Sequence, residues 1–414
     1  MSQSKRPGHR ISKKSSGRGL SVRDRAKQRR HGLQKHPFKI EHMDGLGQGV
    51  CKQDGAISFI AKTLPDETGT ARIYKRSKGV QFARLESLDQ PASNRIEPEC
   101  KHFNQCPGCH YLHTDYQSEL GYKKAALTKI MQPLIAAKGF NADAIEVIAA
   151  EQRLAYRNRM QLHYRHKYIG LVDSASDQIV EIPNCKIIRP ELQQAFDNLY
   201  SDTASENDVQ SRGKGKDKDK SKGHCELYLD GDTIKQTWDA DYAEGGFSQV
   251  NEAMNEVLKR LVNSELQAHK SKNNEGATWS VLDLFSGNGN LSNDIGTNST
   301  VVIERTMIDI ADKEHADYFK IDLFDDTALK QFQKKNKAKA FDKILLDPPR
   351  KGFPALADWV KKYKPKHLIY VSCNAATMAR DLQSLDCRFT VDKILLLDLF
   401  PASYHFETVA CISF

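Results

Sequence analysis

Six short apolar runs divide the last third of the chain into strand-sized pieces that alternate with helix-length segments. The runs occupy residues 281–285, 301–303, 344–346, 368–371, 394–400 and 409–414. Continuous Val, Ile and Leu runs of this length are typical of strands buried on both faces, which occur in parallel sheets covered by helices. The sequence therefore predicts an α/β fold with a doubly wound sheet over residues 246–414.

A glycine-rich turn follows the first run, with the sequence Ser-Gly-Asn-Gly-Asn at 286–290. Glycine lets the backbone approach a ligand closely at the carboxyl end of a strand. The acid Glu304 closes the next run, where a carboxylate can accept hydrogen bonds from both hydroxyls of a ribose. This order fits a dinucleotide or an S-adenosylmethionine site, although Ser292 stands where dehydrogenases carry a third glycine. On spacing alone, a plain tight turn remains an alternative.

Three polar segments follow later strands of the predicted sheet, at 346–352, 370–374 and 400–407. Catalytic residues of α/β proteins collect at such strand ends, so Cys373 is a candidate nucleophile and Glu407 a candidate base. Taken singly, Cys373 could be a buried thiol, Glu407 a surface residue and Asp347 a helix cap.

Together with a methyl-donor loop, these groups fit methylation of uracil at C5. That carbon becomes nucleophilic only after a thiolate adds to C6, and a base must then remove the C5 proton. The reaction therefore requires a thiolate, a carboxylate and an S-adenosylmethionine pocket, and the chain supplies a candidate for each.

Four cysteines form a candidate metal site. Cys100, Cys106 and Cys109 have the spacing C-x5-C-x2-C, and Cys185 follows a predicted strand. Four thiolates could hold zinc or a [4Fe–4S] cluster. The spacing differs from paired C-x2-C zinc knuckles and from the C-x3-C-x2-C of radical enzymes, and free structural cysteines are the remaining alternative. The odd total of nine cysteines argues against a disulfide framework and favours a reducing compartment.

The positive charge of the chain is concentrated at its start. The formal net charge is +9, yet residues 1–36 hold twelve Lys or Arg and one acid, so the rest of the chain sums to −2. A segment with so few large apolar residues is expected to be disordered. A basic arm for nucleic acid is favoured over a solvated tail, and a transit peptide remains open. No apolar run is long enough to cross a membrane.

Two further units precede the α/β region. Glycine-punctuated apolar runs over residues 37–97 predict a small β domain. Residues 98–245 form a predicted α+β central domain, with a helix over 115–138, capped by Thr114 or Asp115 and ended by Gly139, and a strand within 156–166. The polar segment 201–223 is interpreted as a flexible insertion.

At this point the chain resembles the RNA uridine-C5 methyltransferases, and within them the bacterial ribosomal subgroup with a TRAM domain and an iron–sulfur cluster. Matching stretches run in order over about residues 37–414. They are G-L-G-Q-G-V at 45–50, C-x5-C-x2-C-H-Y-L-H at 100–113, A-Y-R-N-R at 155–159, F-S-Q-V-N at 247–251, D-L-F-S-G-N-G-N at 283–290, L-D-P-P-R-K-G at 346–352, Y-V-S-C-N at 370–374 and L-F-P-A-S-Y-H-F-E at 399–407.

The resemblance implies an OB-like TRAM β-barrel at 37–97 that binds RNA, an α+β central domain with the cluster, and a Rossmann-type methyltransferase domain. It implies Cys373 as the nucleophile and Glu407 as the base. It implies a [4Fe–4S] cluster on Cys100, Cys106, Cys109 and Cys185. The residues implied for S-adenosylmethionine are Gln249, Phe285, Asn290, Glu304, Asp322 and Asp347.

The sequence departs from the family at two positions that change no reacting group. Ser286 stands where many members carry Cys, and Ala375 where many carry Pro. The segment between Glu304 and Asp322 is short, and the basic tail and the insertion fall outside the pattern.

The predicted TRAM domain and cluster favour 23S rRNA as the substrate, since the tRNA-modifying relatives generally lack both. We expect a cytoplasmic monomer with no membrane association and no obligate protein partner, and with local basic faces at residues such as Arg157, Arg159 and Arg165. The alternatives are a tRNA 5-methyluridine methyltransferase and a non-catalytic iron–sulfur RNA-binding factor that retains a methyltransferase fold.

Overall fold

The computed structural model describes residues 35–53, 55–173, 175–202, 222–241, 249–268, 278–293, 302–310 and 317–414. The predicted tail 1–36 and insertion 201–223 lie almost wholly outside these ranges. Among the described helices, none combines the length and the apolar character needed to span a membrane.

Six strands form an N-terminal sheet around a small apolar core that includes Phe38, Ile40 and Ile73. All pairs are antiparallel except β4 with β6. The sheet begins at Lys35, within the predicted tail, because this residue already pairs with Arg72. The predicted OB-like barrel stays a prediction. The strands are β1 (Lys35–Lys39), β2 (His42–Met43), β3 (Gln48–Gln53), β4 (Ala56–Ala61), β5 (Thr68–Ser77) and β6 (Val80–Gln90), in the order β1-β5-β6-β4-β3-β2.

A long helix and a short strand come next in the chain. Helix α1 (Tyr116–Lys138) starts after Asp115, whose carboxylate accepts a hydrogen bond from the Ser118 amide, and ends at Gly139 with φ +64°. The helix predicted for this segment, with its two caps, is confirmed. A 3₁₀ turn (Ala142–Ala144) leads into strand β7 (Glu146–Ile148).

The central sheet is antiparallel and packs against one helix. Its core contains Cys106, Cys109 and Cys185 together with residues of that helix, such as Leu192 and Phe196. The elements are β8 (Arg159–Arg165), β9 (Tyr168–Val172), β10 (Ile179–Val180), α2 (Pro190–Asp202), β11 (Lys222–Asp230) and β12 (Thr233–Trp238), with strand order β10-β9-β8-β11-β12.

The C-terminal sheet has eight strands, and all run parallel except β19. The predicted doubly wound α/β fold is confirmed. The elements are α3 (Glu252–Gln267), β13 (Thr278–Leu284), β14 (Val302–Asp309), β15 (Tyr318–Lys320), α4 (Ala328–Lys335), β16 (Lys343–Leu346), α5 (Leu356–Tyr363), β17 (His367–Ser372), α6 (Ala375–Gln383), β18 (Thr390–Leu397) and β19 (Glu407–Ser413), with strand order β15-β14-β13-β16-β17-β19-β18-β7.

Helices cover both faces of this sheet. One face packs against α1, α4, α5 and α6, and the other against α3. Because β13 has β14 on one side and β16 on the other, the strand order reverses beside it. In open α/β sheets, ligands bind beside such a reversal, at the carboxyl ends of the strands.

The predicted central segment 98–245 is divided between two sheets. Strand β7 pairs in parallel with β18, and Leu127, Met131 and Leu134 of α1 pack in the core of the C-terminal sheet. The extent of the central unit therefore differs from the predicted 98–245. Helical periodicity shows that α1 has an apolar face, but it does not show which sheet that face will cover.

Candidate active site

The two predicted reacting residues lie where the antiparallel pair β17–β19 ends. Ser372, the last residue of β17, pairs with Thr408, so the next position places Cys373 across from Glu407. Opposed residues of antiparallel strands have Cα atoms about 4.5–5.5 Å apart. Glu407 is buried and Cys373 is half-buried. The fold therefore brings a thiol and a carboxyl group together at a partly open strand end.

Burial and the neighbouring carboxyl groups favour the protonated forms of both Cys373 and Glu407. Burial raises the pKa of Cys373 to about 11, and the nearby carboxyl groups of Glu407 and Asp347 act in the same direction. Burial and Asp347 likewise hold the pKa of Glu407 well above its usual range. Arg350 opposes both shifts, because its positive charge favours the thiolate of Cys373 and the carboxylate of Glu407. Arg350 is thus the group that stabilises the Cys373 thiolate, a role that the sequence did not identify.

Two further carboxyl groups lie on neighbouring strands next to this pair. Asp347 follows β16, and Asp283 lies on β13 opposite Leu345 of β16. Burial raises the pKa of each aspartate to about 7, and the charge of Asp283 contributes to the shift at Asp347. The Ser292 hydroxyl donates a hydrogen bond to Asp283. Sequence patterns did not single out Asp283, because Leu282 and Leu284 flank it within an apolar strand.

The glycine-rich turn after β13 has a strained start. Phe285 has φ +60°, a left-handed conformation that bulky residues rarely adopt and that often marks a functional site. Its ring contacts Phe324 and Phe353, with centroids 5.3 and 5.1 Å away. Asp322 is exposed, and its carboxylate accepts a hydrogen bond from the Phe324 amide at 2.9 Å. The structure therefore places the segment of Asp322 beside Phe285.

The prediction that Glu304 closes its strand is wrong. Strand β14 continues to Asp309, and Glu304 is exposed and level with Ser280 of β13. Glu304 precedes Ile308, the partner of the last β13 residue, by four positions, or about 13 Å along a strand. Asp309 lies at the end instead, where its carboxylate accepts a hydrogen bond from the Gly287 amide at 2.8 Å. The apolar run ended too early in the sequence because three consecutive polar residues, Glu304, Arg305 and Thr306, precede Met307 and Ile308 within β14.

The predicted residues Asn290 and Gln249 flank the start of α3. Asn290 exchanges two side-chain hydrogen bonds with Asn255 of α3, at 2.9 and 3.0 Å. The Gln249 carbonyl accepts a hydrogen bond from the Asn158 side chain of the A-Y-R-N-R motif at 3.2 Å. These contacts connect the central sheet, α3 and the glycine-rich turn.

The four predicted cysteine ligands line one small cavity in the central core, with Phe103, Leu112, Ile182, Lys186 and Ile187 as the other lining residues. The Gly108 amide donates a hydrogen bond to the Cys106 sulfur at 3.3 Å. Over the described ranges, no three His, Cys, Asp or Glu side chains are close enough together to hold a single metal ion. The cysteines are gathered around a shared space without converging on one point.

A lysine from the N-terminal sheet reaches this cysteine site. The Lys62 ammonium group donates a hydrogen bond to the Cys109 carbonyl and lies 4.1 Å from the centroid of the Phe103 ring. Its buried position lowers the pKa of Lys62 to about 8, and the charges that oppose this shift are those of Cys109, Cys106 and Cys100. Sequence reasoning missed Lys62 because it lies far from the cysteines along the chain.

Comparison with known proteins agrees with this geometry. The family model described as tRNA (Uracil-5-)-methyltransferase matches residues 326–413. The chain is similar to proteins named 23S rRNA (uracil(1939)-C(5))-methyltransferase RlmD. The relative from Marinomonas sp. is 29% identical, with 90% of this chain and 94% of the relative covered. The relative from Pectobacterium carotovorum is 28% identical, with 90% and 92% covered.

A solved structure shares the fold. It is that of Pyrococcus abyssi tRNA (uracil-54, C5)-methyltransferase in complex with S-adenosyl-L-homocysteine, which is 20% identical and has a TM-score of 0.61. The similarity covers 91% of this chain and all of that chain. The two chains therefore share one fold.

Proposed function

We propose that the chain is an RNA uracil-C5 methyltransferase and that it methylates C5 of one uridine in 23S rRNA. The enzyme is an S-adenosylmethionine-dependent methyltransferase. The observation that carries the proposal is the opposed placement of Cys373 and Glu407 at the carboxyl edge of the sheet. The names of the relatives give uracil 1939 as their target, and we propose the equivalent uridine here.

Cys373 starts the reaction as a nucleophile. Its thiolate adds to C6 of the uracil, and the resulting enolate makes C5 nucleophilic. S-adenosylmethionine supplies the electrophilic methyl group when it is bound. Glu407 then takes the proton from C5, the C5–C6 double bond re-forms, and the electron pair of the C–S bond returns to Cys373. Since C6 must be approached from above the ring, the target base must leave its stack.

The cofactor pocket lies at the strand-order reversal beside β13. We propose that Gln249, Phe285, Asn290, Asp322 and Asp347 line it, as the resemblance implies. Asp309 takes the role first assigned to Glu304, because it is the acid at the end of β14 and touches the glycine-rich turn. A carboxylate in that position can accept hydrogen bonds from both ribose hydroxyls.

The cysteine cavity fits a [4Fe–4S] cluster better than zinc. Four thiolates on one zinc ion lie about 2.3 Å from the metal, which draws all four sulfurs close to a single point. The cysteines here surround a cavity instead. A partly buried lysine is stabilised by nearby negative charge, and the thiolates of an anionic cluster would supply it next to Lys62. We propose that Cys100, Cys106, Cys109 and Cys185 hold the cluster and that it is structural.

The outer face of the N-terminal sheet supports RNA as a partner. Phe59 and Phe82 stack with ring centroids 5.4 Å apart, and both are partly exposed. Lys75 lies 5.4 Å from the centroid of the Phe82 ring, and Arg84, which also pairs with Asp173, lies 5.7 Å from that of Tyr74. Aromatic rings between cations form a platform on which bases can stack while phosphates are neutralised.

Of the predicted basic residues, Arg159 does not belong to such a surface. It is buried, pairs with Glu226 at 2.9 Å and lies over the Tyr228 ring at 3.9 Å. Arg165 remains partly exposed, and its described partner is Asp177, which is itself exposed. We propose that the enzyme acts in the cytoplasm as a monomer on 23S rRNA.

A covalent-trapping experiment tests the proposed reaction. Wild-type protein, S-adenosylmethionine and 5-fluorouridine-substituted 23S rRNA fragments should give a denaturation-resistant adduct, since fluorine at C5 blocks the final elimination. RNA binding without an adduct would contradict the enzymatic function and favour a non-catalytic RNA-binding factor. Mapping 5-methyluridine in rRNA and tRNA from a deletion strain distinguishes the 23S substrate from a tRNA.

A further inference from the structure

A buried loop leads directly into Glu407. Residues 398–406 connect β18 to β19, and Ala402 lies near the middle of the loop, with none of its surface exposed. Ala402 has φ +66°, a left-handed conformation in which the Cβ of a non-glycine residue comes too close to the following carbonyl oxygen. Such a conformation persists only where the surroundings fix it.

The cysteine loop, residues 100–111, which carries Cys100, Cys106 and Cys109, helps to hold Ala402 in this conformation. The His110 and Tyr111 amides, which directly follow Cys109, both donate hydrogen bonds to the Ala402 carbonyl, at 2.6 and 3.0 Å. The His110 ring also meets Tyr404 edge-on, with centroids 4.7 Å apart. The backbone after a predicted cluster ligand is therefore bonded to the loop that presents the base.

A buried network of four charges holds the same loop from the other side. The Ala402 amide donates a hydrogen bond to Glu119 of α1 at 2.7 Å. Glu119 also pairs with Lys123 at 2.8 Å and with Arg153 at 2.9 Å, and Lys123 pairs with Asp398 at 2.7 Å. Buried ion pairs add little net stability, so their value lies in fixing one geometry.

Arg153 links this network to the cysteine loop. It donates a hydrogen bond to the Tyr111 carbonyl at 2.7 Å while pairing with Glu119. Tyr111 and Glu119 are thus connected both through Ala402 and through Arg153. Movement of the cysteine loop would disturb Ala402 along both routes.

The nucleophile is supported by different contacts. Cys373 lies between β17 and α6, where the Asn374 side chain caps α6 and donates a hydrogen bond to the Arg350 carbonyl at 2.9 Å. The Asn374 amide bonds to the Ser372 hydroxyl at 3.0 Å. None of these contacts involves the cysteine loop, so the supports of Cys373 and Glu407 are separable.

We propose that the loaded cysteine site positions the base, with His110, Tyr111 and Glu119 as positioning residues that act on Glu407 through Ala402. The inference rests on the proposed function. The proposal predicts that the early and late steps of the reaction depend differently on the cysteine loop. An ordered cysteine loop is required when Glu407 takes the C5 proton and the C–S bond breaks, whereas addition of Cys373 and transfer of the methyl group do not depend on it.

The test measures the two steps separately in full-length protein purified anaerobically with its metal site loaded. Labelled methyl from S-adenosylmethionine reports covalent methylated complex, and tritium release from RNA containing 5-tritiated uridine reports proton abstraction. The test variant is Cys185→Ser, which leaves the sequence of the cysteine loop unchanged. Cys225→Ser is the matched control, because Cys225 is buried in the same core but does not line the cavity.

For Cys185→Ser we expect formation of the methylated complex within about twofold of wild type and tritium release at least about tenfold slower, since a misplaced base loses part of its contribution. Hydrogen exchange at the amides of residues 400–406 should accelerate. Cys225→Ser should leave all three measurements unchanged. Equal losses in both chemical steps, or no change in tritium release, would overturn the inference.

A second variant keeps the test decisive if Cys185→Ser fails to fold. Arg153→Met removes the bridge between Tyr111 and Glu119 and leaves every cysteine in place. We again expect slower tritium release with nearly unchanged formation of the methylated complex. Equal losses in both measurements would contradict the proposal. Wild-type protein that forms no covalent complex would instead contradict the proposed function, so the two failures are distinguishable.

Discussion

Cys373 and Glu407 face each other at the end of the antiparallel pair β17–β19, although a helix, a strand and a loop separate them in the chain. The insertion of β19 between β17 and β18 creates this relationship. In a wholly parallel sheet, a residue entering the last strand would lie at the opposite edge from the end of its neighbour. The antiparallel strand therefore delivers the carboxyl group to the nucleophile.

Replacement of Cys373 by alanine should abolish methyl transfer, with a loss of at least about a thousandfold, because no other thiolate can add to C6. RNA affinity should change by less than about twofold, since the half-buried thiol contributes little binding surface. Methyl incorporation and filter binding measure the two effects. Residual turnover above this limit would contradict the assignment of the nucleophile.

Replacement of Glu407 by glutamine should stop the reaction after methyl transfer. The amide fills the same buried site but cannot accept the C5 proton, so methylated RNA should accumulate as a covalent complex. Denaturing gels with labelled S-adenosylmethionine would detect the complex. Normal release of methylated RNA would show that another group serves as the base.

Replacement of Arg350 by methionine should raise the pKa of Cys373, because the guanidinium group stabilises the thiolate. Adduct formation should therefore slow at pH 7 and recover in part as the pH rises toward the thiol pKa. Rates of adduct formation with 5-fluorouridine RNA between pH 6.5 and 9.5, a range that lies wholly below the Cys373 pKa of about 11, would measure the effect.

Lys361→Met is the matched control for Arg350→Met. Lys361 is an exposed cation in the last turn of α5, outside the site. It should leave the pH profile unchanged. An unaltered profile for Arg350→Met, or an equal displacement in both variants, would show that Arg350 has no specific effect on the thiol.

Replacement of Asp347 by asparagine should stabilise the folded protein at alkaline pH. It should also weaken the affinity for S-adenosylmethionine. Burial raises the pKa of Asp347 from 3.8 to about 7 in the folded state. A raised carboxyl pKa contributes stability below the unfolded value, and this contribution is lost as the pH rises through 7. The variant should gain about 1–2 kcal/mol over wild type at pH 8 and little at pH 4, as measured by urea unfolding.

Asp342→Asn is the control, because the pKa of Asp342 is lowered whereas that of Asp347 is raised, so its effect on stability at pH 8 should be opposite. Hydrogen bonds from Lys366 and Ser280 outweigh burial and lower the pKa of Asp342. Its contribution to stability is therefore present above the unfolded pKa and is lost in acid, so this variant should be destabilised at pH 8. Loss of stability at pH 8 in both variants would contradict the sign assigned to Asp347.

Deletion of residues 1–34 should weaken the salt dependence of RNA binding and spare catalysis at low salt. The segment carries eleven Lys or Arg and one acid, and the deletion stops before Lys35, which pairs in the N-terminal sheet. Fewer phosphate contacts release fewer counterions, so the slope of log affinity against log salt should decrease. Loss of methyl transfer at low salt would assign the segment a catalytic role.

Local patterns in the sequence predicted much of the fold. The apolar runs at 281–285, 344–346 and 368–371 lie within or next to strands of the doubly wound sheet. The caps Asp115 and Gly139 marked the ends of α1 correctly. Burial of apolar side chains and the conformational preferences of single residues are local properties, so these elements could be predicted without tertiary information.

The fold class, the thiol, the carboxyl group and the four cysteines could all be predicted from local sequence patterns. Their surroundings depend on how the elements pair and pack. Strand pairing placed Asp309 and not Glu304 at the end of β14, and it joined α1 and β7 to the C-terminal sheet. Packing between distant segments brought Lys62 to the cysteines and Arg350 to Cys373. Register and long-range packing depend on contacts between residues far apart in the chain, and no local pattern encodes them.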